Sequence, residues 1–228
     1  MIYKLHQNVY FAKDDELAVL HFNWLFRAIS LVDKKYLNYT VYNGREKEKQ
    51  YHKERVIAYE LYRQWANILE SECKEPLVLN AELDKIIDER IRIEDDIENL
   101  EEIRKYPDLV LHNGQDSDNN QKMVCEIKRN TKSKISSSAI FADLYKIACY
   151  MDEEKFHCDK KPFEYGVLIL LNGKLEQIKG IKKTKIKVSA NDYSYRHFKI
   201  ELSNHFDRII CVTYDGTNLE YRTLKGLL

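Results

Sequence analysis

The chain is short of the residues that interrupt regular structure. Among 228 residues there are 7 glycines and 3 prolines, which excludes a low-complexity chain and fits an ordinary soluble globular protein. A surplus of charge is missing too. With 37 Lys and Arg against 37 Asp and Glu, no global field points to nucleic acid or to an anionic membrane, although a neutral total leaves room for local patches. The five cysteines (73, 125, 149, 158 and 211) form no CxxC pair and no regular ladder, so they read as reduced thiols in a cytosolic protein. Cys149, His157 and Cys158 have a spacing that matches no familiar zinc module. No run approaches the roughly eighteen apolar residues of a transmembrane helix, and no basic segment leads into an apolar one at the start. The expectation is a cytoplasmic chain without a membrane span. GxSxG, Walker A, GxGxxG and HExxH patterns are also absent, which removes triad hydrolases, P-loop NTPases, dinucleotide enzymes and zincins as far as motifs can.

What is present is a sequence of alternating element types. Hydrophobic residues make up 44% of the chain, and its length suits one well-cored domain, here residues 51–228, preceded by a helical extension over 1–50. Leu17, Leu20, His21, Trp24, Leu25, Ala28 and Leu31 recur at helical spacing, and Ile57, Leu61, Trp65 and Ile68 mark a second helix over about 54–70. Glu60 falls on the edge of that second stripe, not on its solvent side. After Pro76, "LVLNAEL" reads as a strand, and residues 84–105 as a charged helix or irregular insert. "LVL" at 109–111 and "MVCEI" at 123–127 are two strands joined by a Gly/Asp/Asn-rich loop. Ile140, Phe141, Leu144, Ile147, Ala148 and Met151 form the cleanest helical stripe, followed by "YGVLILL", an unalternating strand of the kind covered on both faces. A helix near 195–206 and the strands "RIICVTYD" and "LEYRTL" complete the chain. The order predicts an α/β fold, with helices layered on a central mixed sheet.

The charges in the two middle strands are out of place for a protein interior. Asp108 heads one of them, while Glu126 and Lys128 sit two residues apart on the next and therefore project from one side of it, opposite Met123, Cys125 and Ile127. If the strands pair as a hairpin, Asp108 approaches Glu126, and two converging carboxylates repel unless protonated or bridged by a cation. A hard, oxygen-seeking ion such as Mg²⁺ resolves that conflict, held by one or two carboxylates, a backbone carbonyl and waters. Lys128 beside it could orient or help deprotonate water or stabilise developing phosphate charge.

Pro107-Asp108, a gap of seventeen residues, then Glu126-Ile127-Lys128 resembles the PD-(D/E)XK nuclease superfamily, also called restriction-endonuclease-like. The resemblance covers roughly residues 54–172, with a Glu-bearing helix before the motif and an amphipathic helix after it. It implies a restriction-endonuclease-like core and a Mg²⁺-dependent (or Mn²⁺-dependent) endonuclease or exonuclease acting on DNA, with RNA as an open alternative. Asp108, Glu126 and the carbonyl of Ile127 would be metal ligands and Lys128 the catalytic lysine. Glu60 falls where many members bring a further acidic residue from the first core helix, with Glu54 and Glu82 as competitors. Lys146 lies where some members carry a polar residue on the helix after the motif. Phosphate contacts would come from two basic clusters, Arg129, Lys132 and Lys134 in one, and Lys182, Lys183 and Lys185 in the other. By analogy of fold, the setting would be phage defence, restriction, a mobile element or repair, as a homodimer or with a partner protein. The alternative from another class is a nuclease-like fold serving as a non-catalytic nucleic-acid-binding or protein-interaction subunit.

Two further features have simpler explanations. "DSDNN" over 116–120 begins like a calcium loop, but Gln121 replaces the required glycine and Ile127 the bidentate glutamate, which leaves a hydrophilic hairpin loop. His112 shares a strand face with Asp108 and reads first as a surface strand-end histidine, second as a phosphate contact.

Overall fold

A computed structural model describes residues 16–38, 41–42, 50–51, 54–81, 107–113, 121–130, 135–156, 161–188 and 191–228. The charged insert expected over 84–105 and the DSDNN loop lie outside these. Helix α1 spans Glu16–Leu31, followed by the single turn α2, Lys34–Leu37, capped by the Asp33 side chain. A two-residue ladder of β1 (Val41–Tyr42) and β2 (Gln50–Tyr51) precedes α3, Glu54–Glu72. Next come β3 (Leu77–Ala81), β4 (Leu109–Asn113), β5 (Gln121–Arg129), α4 (Ser137–Tyr150) and β6 (Tyr165–Leu171). A 3-10 segment, Leu175–Lys183, leads into the hairpin β7 (Lys185–Val188) and β8 (Asn191–Ser194) and then α5, Tyr195–Leu202. The chain closes with β9 (Ile209–Tyr214), β10 (Leu219–Thr223) and the single turn α6, Leu224–Leu227.

Six of the strands form one mixed sheet in the order β10-β9-β6-β5-β4-β3. The β3-β4-β5 side is antiparallel, β5-β6 and β6-β9 are parallel, and β9-β10 is an antiparallel hairpin. Each parallel pair needs a long crossover; α4 supplies the first, and the 3-10 segment, the β7-β8 hairpin and α5 supply the second. Both faces of the sheet are consequently covered. Phe22, Leu25 and Ile29 of α1 and Ile57, Leu61 and Trp65 of α3 pack on Leu109, Leu111, Cys125, Ile127 and Ile169. Ile140, Phe141, Leu144 and Ile147 of α4 pack on Val110, Val124, Leu168 and Cys211, together with Ile178 and Phe198 from the second crossover. Burial on two sides is why "YGVLILL" in β6 shows no polar alternation. Helix α1, within the segment read as an extension, shares one core with α3. Its end is tied to the sheet by Tyr214 Oη, which donates to the Ser30 carbonyl at 3.1 Å.

The strip 172–187, which reads in the sequence only as a basic cluster, holds regular structure. Ile186 and Tyr193 turn inward from the β7-β8 hairpin while Lys185 and Lys187 face water. Cys73, Cys125, Cys149 and Cys211 are free thiols. Among the described residues no helix is long and apolar enough to cross a membrane.

Helix α4 sits unusually close to β6. A Cβ added to Gly166 would come within 2.2 Å of Ile147 Cγ2 and 2.8 Å of Met151 Sδ, both on or just after the helix. The Ser136 side chain caps the other end, accepting from the Ala139 N–H at 3.2 Å, so the helix is fixed at both termini. Gly166→Ala is therefore expected to overpack this contact and to destabilise the fold by about 1–3 kcal/mol, measured as a lower midpoint of urea unfolding with an unchanged slope.

Candidate active site

The site is built where β5 outruns β4. Leu109 at the start of β4 stands opposite Cys125, so β5 continues past its neighbour through Glu126, Ile127 and Lys128. A strand edge left without a partner carries unpaired N–H and C=O groups. Here the Asp108 carboxylate takes over the ladder: its Oδ2 accepts the Ile127 N–H at 2.7 Å. In an antiparallel pair the N–H and C=O of one residue face the same neighbour, so the Ile127 carbonyl points into the same opening.

On the face toward α4, strand alternation sets Glu126 and Lys128 beside each other, opposite Leu168 and Leu170 of β6. Helix α4 meets them with Asp143 and Lys146, one turn apart. Lys146 Nζ lies 2.5 Å from Glu126 Oε1, and Lys128 Nζ lies 3.2 Å from Asp143 Oδ2. Glu126 and Asp143 are 2% and 7% exposed, so both ion pairs are formed largely out of water. Asp108, Glu126 and Asp143 thus share the space with two ammonium groups, which leaves one formal negative charge over. Glu126 Oε1 and Asp143 Oδ2 are buried and have their lysines at contact distance; each pair sets an ammonium against a carboxylate.

The titration of the carboxylates reflects this crowding. Burial drives Glu126 well above the ordinary carboxylate range; Lys146 opposes the shift, and the negative charges of Asp143 and Asp108 add to it. Burial likewise raises Asp108, against the Ile127 N–H, Lys146 and Lys128, with Asp143 adding. A divalent cation fits that situation. Two carboxylates from adjoining strands, one backbone carbonyl and an uncompensated negative charge are the donor chemistry Mg²⁺ takes, with waters completing the octahedron. Among the described residues, no three His, Cys, Asp or Glu side chains stand together as a ready-made cage.

The other residues singled out in the sequence fall elsewhere. Glu60 is buried on α3, which packs on the opposite face of the sheet from Glu126. Its carboxylate accepts two hydrogen bonds from Arg63, at 2.8 and 2.9 Å, and one from Gln64 at 2.8 Å. The Arg63 bonds come first in holding its acidity strong, with Gln64 and Lys35 adding. Glu54 opens the same helix, and Glu82, Lys132 and Lys134 lie outside the described residues. Arg129 corrects the expectation of a surface phosphate contact: it is buried, on the side of β5 that faces α1 and α3. Lys182, Lys183 and Lys185 are exposed, with Lys182 Nζ donating to the Leu228 carbonyl at 2.6 Å and Lys185 at 3.6 Å from Asp192.

His112 is also not a surface residue. It is buried, with Nδ1 donating to the Asn113 carbonyl at 2.8 Å and Nε2 accepting from Asn80 Nδ2 at 2.9 Å. Four residue steps of about 3.3 Å each separate it from Asp108 along the chain. Sequence reasoning missed Asp143. The signal was present in outline, because Asp143 falls three residues after Ile140 and four before Ile147 on the buried stripe, on the same helix edge logic that flagged Glu60.

Compared with protein-family models, curated proteins and solved structures, the chain has no significant match in any of the three.

Replacing Glu126 by Gln keeps the shape and removes the buried charge. A folded-state carboxyl raised above its ordinary value of 4.5 gives stability that is fully present below that value and lost as pH rises through the folded one. In EDTA, the melting temperature of Glu126→Gln relative to wild type is expected to climb steadily as pH is raised from about 4.5. A difference that stays flat from pH 4.5 to 8 would contradict a raised Glu126.

Proposed function

We propose that this chain is a metal-dependent nuclease of the PD-(D/E)XK kind, hydrolysing DNA phosphodiesters in the cytoplasm. The observation that carries the reading is the meeting of Asp108, Glu126 and the Ile127 backbone at the open end of β5, with Lys128 alongside. The order of elements around it supports the same reading: a helix, three antiparallel strands, a helix and a parallel strand is the order that a restriction-endonuclease-like core would have.

Asp108, Glu126 and the Ile127 carbonyl would hold Mg²⁺ or Mn²⁺. When bound, such an ion lowers the pKa of water and neutralises phosphate charge. Asp108 and Glu126 orient the donor set from two strands whose register is fixed by the sheet. Lys128 places an ammonium beside the scissile phosphate and stabilises the charge that develops there, and Asp143 keeps that ammonium from rotating away. The exposed lysines of the second crossover supply phosphate contacts despite the zero net charge.

Purified protein is expected to cut or nick DNA with Mg²⁺ or Mn²⁺ and not in EDTA. Asp108→Ala, Glu126→Ala and Lys128→Ala should each lower the rate by about a hundredfold or more, since the groups removed act on transition-state charge worth several kcal/mol. Activity surviving all three substitutions would sink the assignment. Lys183→Ala with Lys185→Ala should weaken DNA binding and reduce the slope of log K against log salt by roughly 0.9 for each phosphate that is no longer neutralised; filter binding across a salt series measures it.

One observation favours a second reading, a nuclease-like fold serving as a non-catalytic binding subunit. Both lysines of the cluster are engaged by its carboxylates, an arrangement that a site without metal would also keep. Calorimetric titration with Mn²⁺ separates the two: a non-catalytic subunit shows no binding that depends on Glu126.

A further inference from the structure

The contact between Lys146 and Glu126 occupies the ground that the metal reading needs. Glu126 is the most deeply buried of the three carboxylates, and the Lys146 ammonium reaches it at 2.5 Å from α4. Two cations cannot share that carboxylate at contact distance without strong mutual repulsion. Lys128 has a carboxylate partner of its own, Asp143 at 3.2 Å. We propose that the Lys146 ammonium is an internal stand-in for the divalent cation: it neutralises Glu126 in the metal-free protein and has to swing aside before Asp108 and Glu126 can bind a metal. This rests on the nuclease reading and adds to it a competition between a side chain and the ion.

Three features of the geometry support it. The first is the need for a counterion. An ionised carboxylate buried this deeply with no positive partner is strongly destabilising, so in the metal-free fold Glu126 carries its charge only with a cation beside it, and among the described residues Lys146 is the ammonium paired with it. The second is the character of the contact. Lys146 Nζ stands 2.5 Å from Glu126 Oε1 as an ammonium against a carboxylate, a charge interaction that a metal ion replaces with a stronger version of the same kind. The third is the length and position of the lysine side chain. Its side chain is 13% exposed, unlike Glu126, and a flexible four-carbon stem lets the ammonium rotate into water while its methylenes stay against the protein.

The consequence is a metal affinity lower than the carboxylates alone would give. Calorimetric titration of the full chain with MnCl₂ tests it, using wild type, Lys146→Met, Lys146→Gln and each of these combined with Glu126→Gln. Removing the ammonium is expected to tighten Mn²⁺ binding about tenfold or more, the scale of one screened cation–cation contact, and the gain should vanish with Glu126→Gln. Thermal unfolding gives a second readout: Mn²⁺ should raise the melting temperature of Lys146→Met more than that of wild type, by mass action on the folded state. The Gln variant keeps a hydrogen-bond donor toward Glu126, so it carries the test if the Met variant does not fold. Glu126-dependent binding in wild type that is equal or weaker in both lysine variants overturns the stand-in and leaves the nuclease reading intact. Absence of Glu126-dependent Mn²⁺ binding in wild type and in both lysine variants overturns the two together.

Discussion

One hydrogen bond organises the candidate site, the one from the Ile127 N–H to the Asp108 carboxylate. It stands where a strand-to-strand bond would otherwise continue, so the ladder ends in a side chain and not in another stretch of backbone. That substitution has two effects. It pins Asp108 against β5, and among the described residues no strand continues the ladder past it, so the Ile127 backbone faces the carboxylate. Had β4 begun two residues earlier, its own backbone would have closed the edge and the neighbourhood of Glu126 would be an ordinary sheet interior.

The second organising element is α4. Its apolar stripe is spent on the sheet, and its flank delivers an acid and a base to Lys128 and the buried Glu126. Buried ion pairs seldom add stability over apolar residues of equal volume. Two of them side by side are better explained by a requirement of the site than by a requirement of the fold. The contrast lies on the far side of the sheet, where Glu60 makes three well-formed hydrogen bonds with its own helix and has the character of a settled structural group.

How much of this was legible in the sequence follows from which periodicities are robust. Side chains on a regular stretch of strand alternate, so the shared face of Glu126 and Lys128 and the opposite face of Cys125 and Ile127 could be read directly; the same alternation, carried one residue further, would have placed Arg129 on the face of Cys125 and Ile127. The mixed α/β architecture was legible because long stripes and the unalternating β6 leave few ways to layer them. Helix periodicity says which edge a residue occupies but not which layer the helix joins, and that is why Glu60 could be assigned an edge and not a neighbourhood. Asp143 was hidden for the complementary reason. Its partner Lys128 comes from another element, and no local pattern announces a pair formed across a crossover. The β7-β8 hairpin was obscured by its lysines, whose charge masked the alternation of Ile186 and Tyr193.

The close seat of α4 on Gly166 bears on the charges that this helix carries. The gap between α4 and β6 is set by the absence of a single methyl group, and the same helix holds Asp143 and Lys146 against Lys128 and Glu126 of the neighbouring strand. Position 166 therefore acts as a spacer for the helix: its size bears on how near that acid and that base come to β5, from a place in the core that carries no charge of its own.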